Sequence, residues 1–109
     1  MSKKYNKLTK ILIPTEKASG ERRVSATPEA VKKLKSLGWE VFVESSAGEL
    51  SGFNDTLYKE YGGEIVSESN INIWGEADIV FCVQIPSEAN LGHLKKRKYV
   101  LTKLKLQEF

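Results

Sequence analysis

Residues 20–31 of this chain read Gly20-Glu21-Arg22-Arg23-Val24-Ser25-Ala26-Thr27-Pro28-Glu29-Ala30-Val31. An apolar run at 11–14 precedes this stretch, and apolar residues at helical spacing follow it. The stretch therefore predicts a loop that carries a first strand into a first helix. Thr27 suits the helix N-cap, because its hydroxyl can accept a backbone N–H of the first turn. Pro28 then falls at the first helical position, where its missing N–H is not needed.

Two arginines, Arg22 and Arg23, lie a few residues before this helix N-terminus, which is itself a natural site for anions. One interpretation is a loop that holds a carboxylate or a phosphate. The other is a solvated basic loop in which Arg22 or Arg23 pairs with Glu16 or Glu21. Spacing alone favours the second interpretation.

The composition is that of one soluble globular domain. The 109 residues suffice for one domain with its own core but not for two domains, and 40% of them are hydrophobic and 28% charged. No apolar run approaches the roughly 20 residues that a membrane span needs, and the N-terminus does not resemble a signal peptide. The only cysteine, Cys82, lies in an apolar run and is predicted to be a buried thiol in a reducing compartment.

The net charge of +3 is unevenly distributed. Residues 1–10 contain four lysines and no acid, and residues 95–109 contain six basic residues against one glutamate. The remaining 7 basic and 13 acidic residues give the body of the chain a charge of −6. Nucleic-acid binders usually spread basic charge over a structured face, so we interpret the basic ends as solubilising or frayed termini and expect no nucleic-acid partner.

Strand and helix patterns alternate along the chain. Strands are predicted at 10–14, 39–44, 64–66, 78–83 and from 99 onward, and helices at 28–37, 54–61, 68–75 and 87–94. Gly38 and the pair Gly62-Gly63 are expected to end the first two helices. Ile71 and Trp74 are expected on the inner side of the third helix. Residues 1–9 are predicted to be disordered, and the alternation after residue 101 fits an edge strand.

This alternation predicts an α/β fold, a three-layer parallel sheet (Rossmann-like or flavodoxin-like) with helices on both faces, incomplete at its C-terminus. In such sheets, ligands bind at the carboxyl ends of the strands. The loops at that edge are residues 14–26, 45–52 and 84–88. They are therefore the candidate functional loops.

Several kinds of site are not indicated by the residues themselves. The first strand is not followed by a Gly-x-Gly-x-x-Gly phosphate loop, so the segment is not expected to bind a dinucleotide on its own. His93 is the only histidine and has no second ligand at a suitable spacing, so no metal site is expected. No Ser/His/Asp or Cys/His arrangement is present, and no catalytic residue is assigned.

Four segments carry a family resemblance: Ile11-Leu12-Ile13-Pro14-x-Glu16, Glu21-Arg22-Arg23-Val24-Ser25-Ala26-Thr27-Pro28, Val43-Glu44-x-x-Ala47-Gly48 and Asp78-Ile79-Val80. In this order they closely resemble the N-terminal domain shared by alanine dehydrogenase and the alpha subunit of proton-translocating nicotinamide nucleotide transhydrogenase. The resemblance runs from about residue 10 to residue 92.

The resemblance implies two substrate- or anion-binding residues, Arg23 and Gln84. In alanine dehydrogenases, the arginine at the position of Arg23 holds the substrate carboxylate. Those enzymes have a lysine at the position of Gln84, and a neutral residue there resembles the transhydrogenase side of the family. The family's next functional position is a histidine near Lys105 of this chain, where no histidine occurs.

The closest resemblance is to the transhydrogenase alpha subunit. In that family, NADH bound to the alpha subunit passes hydride to NADP on the beta subunit, and proton translocation is coupled to this transfer. The implied partners are the beta subunit, a membrane component and a second alpha subunit in a homodimer. The implied location is cytoplasmic and peripheral to the membrane. The alternatives are an alanine dehydrogenase-like amino-acid dehydrogenase and a non-catalytic, stand-alone domain.

The resemblance also sets the expected domain organisation. Residues 10–109 correspond to part of the family's N-terminal domain, and the second domain, which holds most of the NAD, lies outside this sequence. The chain is therefore expected to be a truncated product that is inactive by itself.

Overall fold

A computed structural model describes residues 9–84, 86–94, 99–102 and 106–108. Its strands are β1 (Lys10–Ile13), β2 (Glu40–Glu44), β3 (Glu64–Val66), β4 (Ile79–Phe81), β5 (Tyr99–Leu101) and β6 (Leu106–Glu108). Its helices are α1 (Pro28–Ser36), α2 (Asp55–Glu60), α3 (Asn72–Glu76) and α4 (Glu88–Leu91), with a short helical turn at Glu49–Ser51. The predicted disorder concerns residues 1–9, of which 1–8 lie outside the described residues.

The strands form one sheet in the order β3-β2-β1-β4-β5-β6. The first five strands are parallel, and β6 runs antiparallel to β5 at the edge. Leu12 of β1 lies opposite Phe42 on one side and Val80 on the other. The predicted parallel sheet is confirmed, and the alternating residues after 101 do contribute an edge strand.

The sheet has a hydrophobic core on each face, because successive side chains of a strand point to opposite sides. Ile11 and Ile13 of β1 pack with Val31 of α1 and Tyr58 of α2 on one face. Leu12 packs with the residues of α3 on the other face, and Leu91 of α4 packs against the same cluster. The helices therefore cover both faces, and the predicted three-layer α/β fold is confirmed.

Helix α1 begins and ends where its sequence predicts, within one residue. The Thr27 hydroxyl accepts the backbone N–H of Ala30 at 3.2 Å, and Pro28 occupies the first turn. Val31 is fully buried against the sheet. Gly38 follows with φ of +93°, a conformation that glycine adopts without a steric penalty.

The third and fourth helices and the fourth strand differ from their predicted extents. Helix α3 begins at Asn72, so Ile71 lies at its N-terminal boundary and its side chain is 47% exposed. Ile73 is buried beside Trp74 instead. The placement of Ile71 on the inner side was therefore wrong. Strand β4 covers only Ile79–Phe81 of the predicted 78–83, and α4 covers Glu88–Leu91 of the predicted 87–94.

The order of the strands creates a switch point at the carboxyl end of β1. The chain leaves β1 towards β2 on one side, whereas β4 pairs on the other side. The loops after β1 and β4 therefore diverge and leave a crevice between them, which is where ligands bind in open α/β sheets. Among the described residues, no helix combines the length and hydrophobicity of a membrane span.

Candidate functional site

Two adjacent clefts open at the switch point. The first has a volume of about 260 Å³, and its lining includes Thr15, Glu16, Trp74, Cys82 and Gln84. The second has a volume of about 240 Å³, and its lining includes Arg23, Ser25, Phe53, Phe81 and Cys82. Cys82 lines both clefts, so the two residues implied by the family resemblance, Arg23 and Gln84, lie in neighbouring depressions of one surface.

Glu16 joins the loop after β1 to the loop after β4. Its carboxylate accepts the backbone N–H of Val83 at 2.7 Å and the backbone N–H of Gln84 at 3.1 Å. Partial burial raises the pKa of Glu16, and the two backbone hydrogen bonds oppose that rise. Glu16 thereby fixes the backbone from which the Gln84 side chain projects.

Glu21 joins Arg23 to Gln84. Its Oε2 accepts the Nε–H of Arg23 at 2.8 Å and the backbone N–H of Arg23 at 2.9 Å. Its Oε1 accepts an N–H of Arg23 Nη2 at 2.9 Å and an N–H of the Gln84 side-chain amide at 2.8 Å. The structure therefore contains the Arg23–Glu21 pair expected for a solvated basic loop, and it adds Gln84 to that pair.

The two members of this ion pair differ in exposure. The Glu21 side chain is 6% exposed, whereas the Arg23 side chain is 58% exposed. The Arg23 guanidinium and the Gln84 amide hold the pKa of Glu21 well below its ordinary range, and Glu21 in turn raises the pKa of Arg23. Glu21 is therefore an ionised, covered carboxylate, and Arg23 presents the outer part of its guanidinium to solvent.

Hydrogen bonds fix the arginine-containing loop to three neighbouring parts of the fold. The Ser25 hydroxyl donates to the carbonyl of Phe81 at the end of β4. The Ser51 hydroxyl donates to the carbonyl of Arg22 at 2.7 Å, which ties in the loop after β2. On the helical side, the buried Tyr58 hydroxyl donates to the carbonyl of Ala26 at 2.7 Å. The loop is therefore a positioned element of the sheet edge.

Glu44 is a buried carboxylate that the sequence interpretation assigned no role. It is 4% exposed, and it accepts the backbone N–H of Thr15 at 2.8 Å. Burial is the main cause that raises its pKa, while hydrogen bonds from Thr15 and from the Trp74 side chain oppose the rise. The available signal was a glutamate directly after the apolar residues 41–43 of β2, at the carboxyl end of the strand.

Three backbone N–H groups at this edge of the sheet are not free to bind the phosphates of a dinucleotide. Phosphate sites in such folds use free backbone N–H groups, usually in a glycine-rich loop. Here the N–H groups of Thr15, Val83 and Gln84 are already bonded to the carboxylates of Glu44 and Glu16. A bound phosphate would meet negative charge instead of donors. These three N–H groups are therefore not available to a pyrophosphate.

A metal site is equally unsupported in the part of the chain that the structure describes. It contains no group of three or more His, Cys, Asp or Glu side chains arranged to hold a metal ion. His93 follows α4 and is partly exposed. Cys82 is 1% exposed, and burial raises the pKa of its thiol to about 12, so it stays protonated. The side chains of Arg23 and Gln84 can therefore offer hydrogen bonds to a ligand at the clefts. That they bind a ligand stays a prediction.

Comparison with known proteins adds three relationships. Residues 12–108 match the family described as "Alanine dehydrogenase/PNT, N-terminal domain". The chain is 36% identical over 94 residues to the alanine dehydrogenase of Mycolicibacterium smegmatis, covering 86% of this chain and 25% of that protein. It is 38% identical over 90 residues to alanine dehydrogenase 1 of Staphylococcus aureus, covering 83% of this chain and 23% of that protein.

Solved structures from both sides of the family are similar to this fold. The transhydrogenase from Sinorhizobium meliloti superposes with a TM-score of 0.77 at 32% identity, over 84% of this chain and 25% of that one. An L-alanine dehydrogenase superposes with a TM-score of 0.78 at 31% identity, over 86% of this chain and 26% of that one. The chain thus spans about a quarter of the length of these oxidoreductases, and it belongs to the alanine dehydrogenase/PNT N-terminal domain family.

Proposed function

We propose that this chain is the N-terminal part of an oxidoreductase of the transhydrogenase type, in which hydride passes from NADH to NADP. The observation that supports this proposal is Gln84, at the position where the alanine dehydrogenases are expected to have a lysine. Its side-chain amide donates to Glu21, the carboxylate that also holds Arg23. The site therefore presents a neutral amide where an ammonium group would otherwise lie.

The distinction matters because an amide and an ammonium support different chemistry. A lysine can stabilise a developing negative charge on a substrate and can transfer a proton. The Gln84 amide does neither, but it both donates and accepts hydrogen bonds. It can thus orient a ligand without supplying charge. Orientation suits a hydride transfer between two nicotinamides, whose chemistry is carried by the cofactors themselves.

The second candidate function is an amino-acid dehydrogenase of the alanine dehydrogenase type. The relatives at 36% and 38% identity carry that name, and the exposed guanidinium of Arg23 can bind a carboxylate. In this alternative, Arg23 would hold the substrate carboxylate while Gln84 replaces the lysine. The loss of the ammonium group makes this the weaker of the two proposals.

The proposed function extends to the partners and cofactors of the whole enzyme. We place NAD mainly on a second domain outside this sequence; the bonding of the N–H groups of Thr15, Val83 and Gln84 to carboxylates supports this placement. NADP would be held by a beta subunit that is attached to a membrane component. We also propose that two alpha subunits form a homodimer. This homodimer would lie in the cytoplasm, peripheral to the membrane.

Two chimeric proteins test the choice between the candidates. In one, residues 10–94 replace the matching segment of the Sinorhizobium meliloti transhydrogenase; in the other, they replace that of the Staphylococcus aureus alanine dehydrogenase 1. We expect hydride transfer from NADH to an NADP analogue in the first chimera. We expect little oxidation of alanine in the second.

The variant Gln84→Lys is the matched control in both chimeras. It should raise the alanine activity of the second chimera and leave the transhydrogenase chimera without a gain. Normal alanine oxidation by the second chimera with Gln84 in place, together with an inactive first chimera, would favour the dehydrogenase alternative.

A further inference from the structure

The Arg23 guanidinium is engaged on one edge only. Glu21 binds the edge formed by Nε and Nη2, a bidentate arrangement that fixes the plane of the group. Within the described part of the chain, Nη1 makes no hydrogen bond, and one N–H of Nη2 is also left over. These donors form the outer edge of the guanidinium. The outer edge can bind a planar acceptor group of a ligand while Glu21 stays in place.

Glu21 also fixes the direction of Gln84. One N–H of its amide is bonded to Glu21 Oε1, which leaves the second N–H and the carbonyl oxygen of that amide for other partners. Because Glu16 holds the backbone of Gln84 as well, both ends of this exposed residue are restrained. One nearly covered carboxylate thus sets the orientation of two exposed side chains.

The charges around Arg23 disfavour an anionic ligand. Its positive charge is compensated directly by Glu21, and the carboxylate of Glu16 interacts with the same guanidinium. A ligand carboxylate at the outer edge would therefore approach an ion pair and a second acid. A neutral acceptor, such as the oxygen of a carboxamide, receives the same hydrogen bonds without that repulsion.

We propose that Glu21 is a positioning residue that orients Arg23 and Gln84 and selects a neutral planar acceptor, such as a carboxamide oxygen, over a free carboxylate. The class of ligand rests on the proposed function, in which a nicotinamide carboxamide lies near this surface. The positioning itself depends only on the contacts of this chain.

The first experiment measures the positioning in the full 109-residue chain by NMR. In the wild type, the Nε–H signal of Arg23 and one side-chain amide signal of Gln84 should exchange slowly with water. Glu21→Ala should bring both signals to the exchange rates of free side chains while the backbone spectrum stays folded. Glu29→Ala removes an exposed glutamate of α1 and serves as the matched control, which should leave both signals unchanged.

A wild type in which both signals already exchange at free side-chain rates would overturn the positioning role. The same conclusion follows if Glu21→Ala leaves them protected. Should Glu21→Ala fail to fold, Glu21→Gln keeps an acceptor oxygen but removes the charge. In that variant the Arg23 signal should lose part of its protection, and full protection would count against the proposal.

The second experiment measures selectivity with acetate and nicotinamide as probes. In the wild type, nicotinamide should shift the Arg23 and Gln84 signals more than acetate does at equal concentration. Glu21→Gln should raise the affinity for acetate roughly fivefold, because it removes the repulsion between the acetate and one negative charge, which at close range in water has about this size. Nicotinamide affinity should change much less.

Equal acetate affinity in the two proteins, including no measurable binding in either, would overturn the selectivity. This result is separate from the test of the proposed function. An inactive transhydrogenase chimera with protected Arg23 and Gln84 signals would refute the proposed enzyme type and leave the positioning role of Glu21 intact. An active chimera with unprotected signals would refute the positioning role and leave the enzyme type intact.

Discussion

The buried carboxylate of Glu44 accepts the backbone N–H of Thr15 at 2.8 Å, which ties the carboxyl end of β2 to the beginning of the loop 14–26 that follows β1. Thr15 reinforces the contact, since its hydroxyl donates to the carbonyl of Ser45 at 3.1 Å. The charged form of Glu44 is nevertheless disfavoured, because burial removes it from water. The burial of Glu44 therefore makes the stability of the fold depend on pH.

We expect the free energy of unfolding to fall as pH rises from the ordinary glutamate value of 4.5 through the raised pKa of folded Glu44. In that window the native state binds more protons at Glu44 than the unfolded state does, so the stability decreases with pH. Nearby Glu68 strengthens the effect and Lys17 weakens it. Denaturant unfolding of the wild type and Glu44→Gln at several pH values measures the difference. A wild type that gains stability relative to Glu44→Gln over this window would contradict the assignment.

Arg23→Ala should lower the activity of the transhydrogenase chimera by roughly tenfold or more, because a ligand contact acts on the reaction directly. Its melting temperature should also fall, because the variant leaves the covered carboxylate of Glu21, whose side chain is 6% exposed, without its arginine. Arg22→Ala is the matched control, because the adjacent side chain is also exposed. Should Arg23→Ala keep full activity while its melting temperature falls, Arg23 is a structural residue.

Gly48→Ala should destabilise the chain by about 1–3 kcal/mol, as expected for overpacking. A Cβ at this position would lie 2.6 Å from Tyr58 Cε2 and 2.9 Å from the carbonyl oxygen of Phe53. Tyr58 is fully buried and cannot move without losing its hydrogen bond to Ala26. Gly92→Ala is the control, since its Cβ would meet only ordinary contacts at 3.4 Å. Equal unfolding midpoints in denaturant for the two variants would contradict the packing argument.

Cys82 should react slowly with a thiol reagent in the native protein and rapidly in denaturant. Its side chain is 1% exposed, and its pKa is raised to about 12, so the reactive thiolate is scarce as well as covered. The rate of modification at increasing denaturant concentration should follow unfolding. Rapid labelling under native conditions would mean that the two clefts open down to the sheet.

The purified 109-residue chain should transfer no hydride from NADH to an NADP analogue and should not oxidise alanine. The expectation rests on the backbone N–H groups of Thr15, Val83 and Gln84 at the switch point, which are bonded to carboxylates and not free to bind the cofactor phosphates. Absorbance of the reduced nucleotide is the assay, with a complete relative as the positive control. Turnover by the chain alone would show that it binds the cofactor without a second domain.

The sequence by itself predicted the elements and their layers. The apolar run of β1, the Thr27-Pro28 cap of α1 and the glycines after α1 and α2 are local signals, and the structure follows them within one or two residues. Alternation of strands and helices then leads to a parallel sheet, because right-handed crossovers allow few other arrangements. The short elements α3 and β4 were predicted less accurately, since neighbouring apolar residues allowed several boundaries.

Only the tertiary structure decided how the charged residues at the sheet edge are paired. The sequence left Arg22 and Arg23 open to Glu16 or Glu21, and it gave no reason to connect Gln84 with either acid. Folding brings Gln84 to Glu21 across 63 positions of the chain and Glu16 to Val83 across 67 positions. Such contacts depend on the order of the strands in the sheet and on which hydrogen-bond donors lose their contact with water on folding. The spacing of residues along the chain encodes neither.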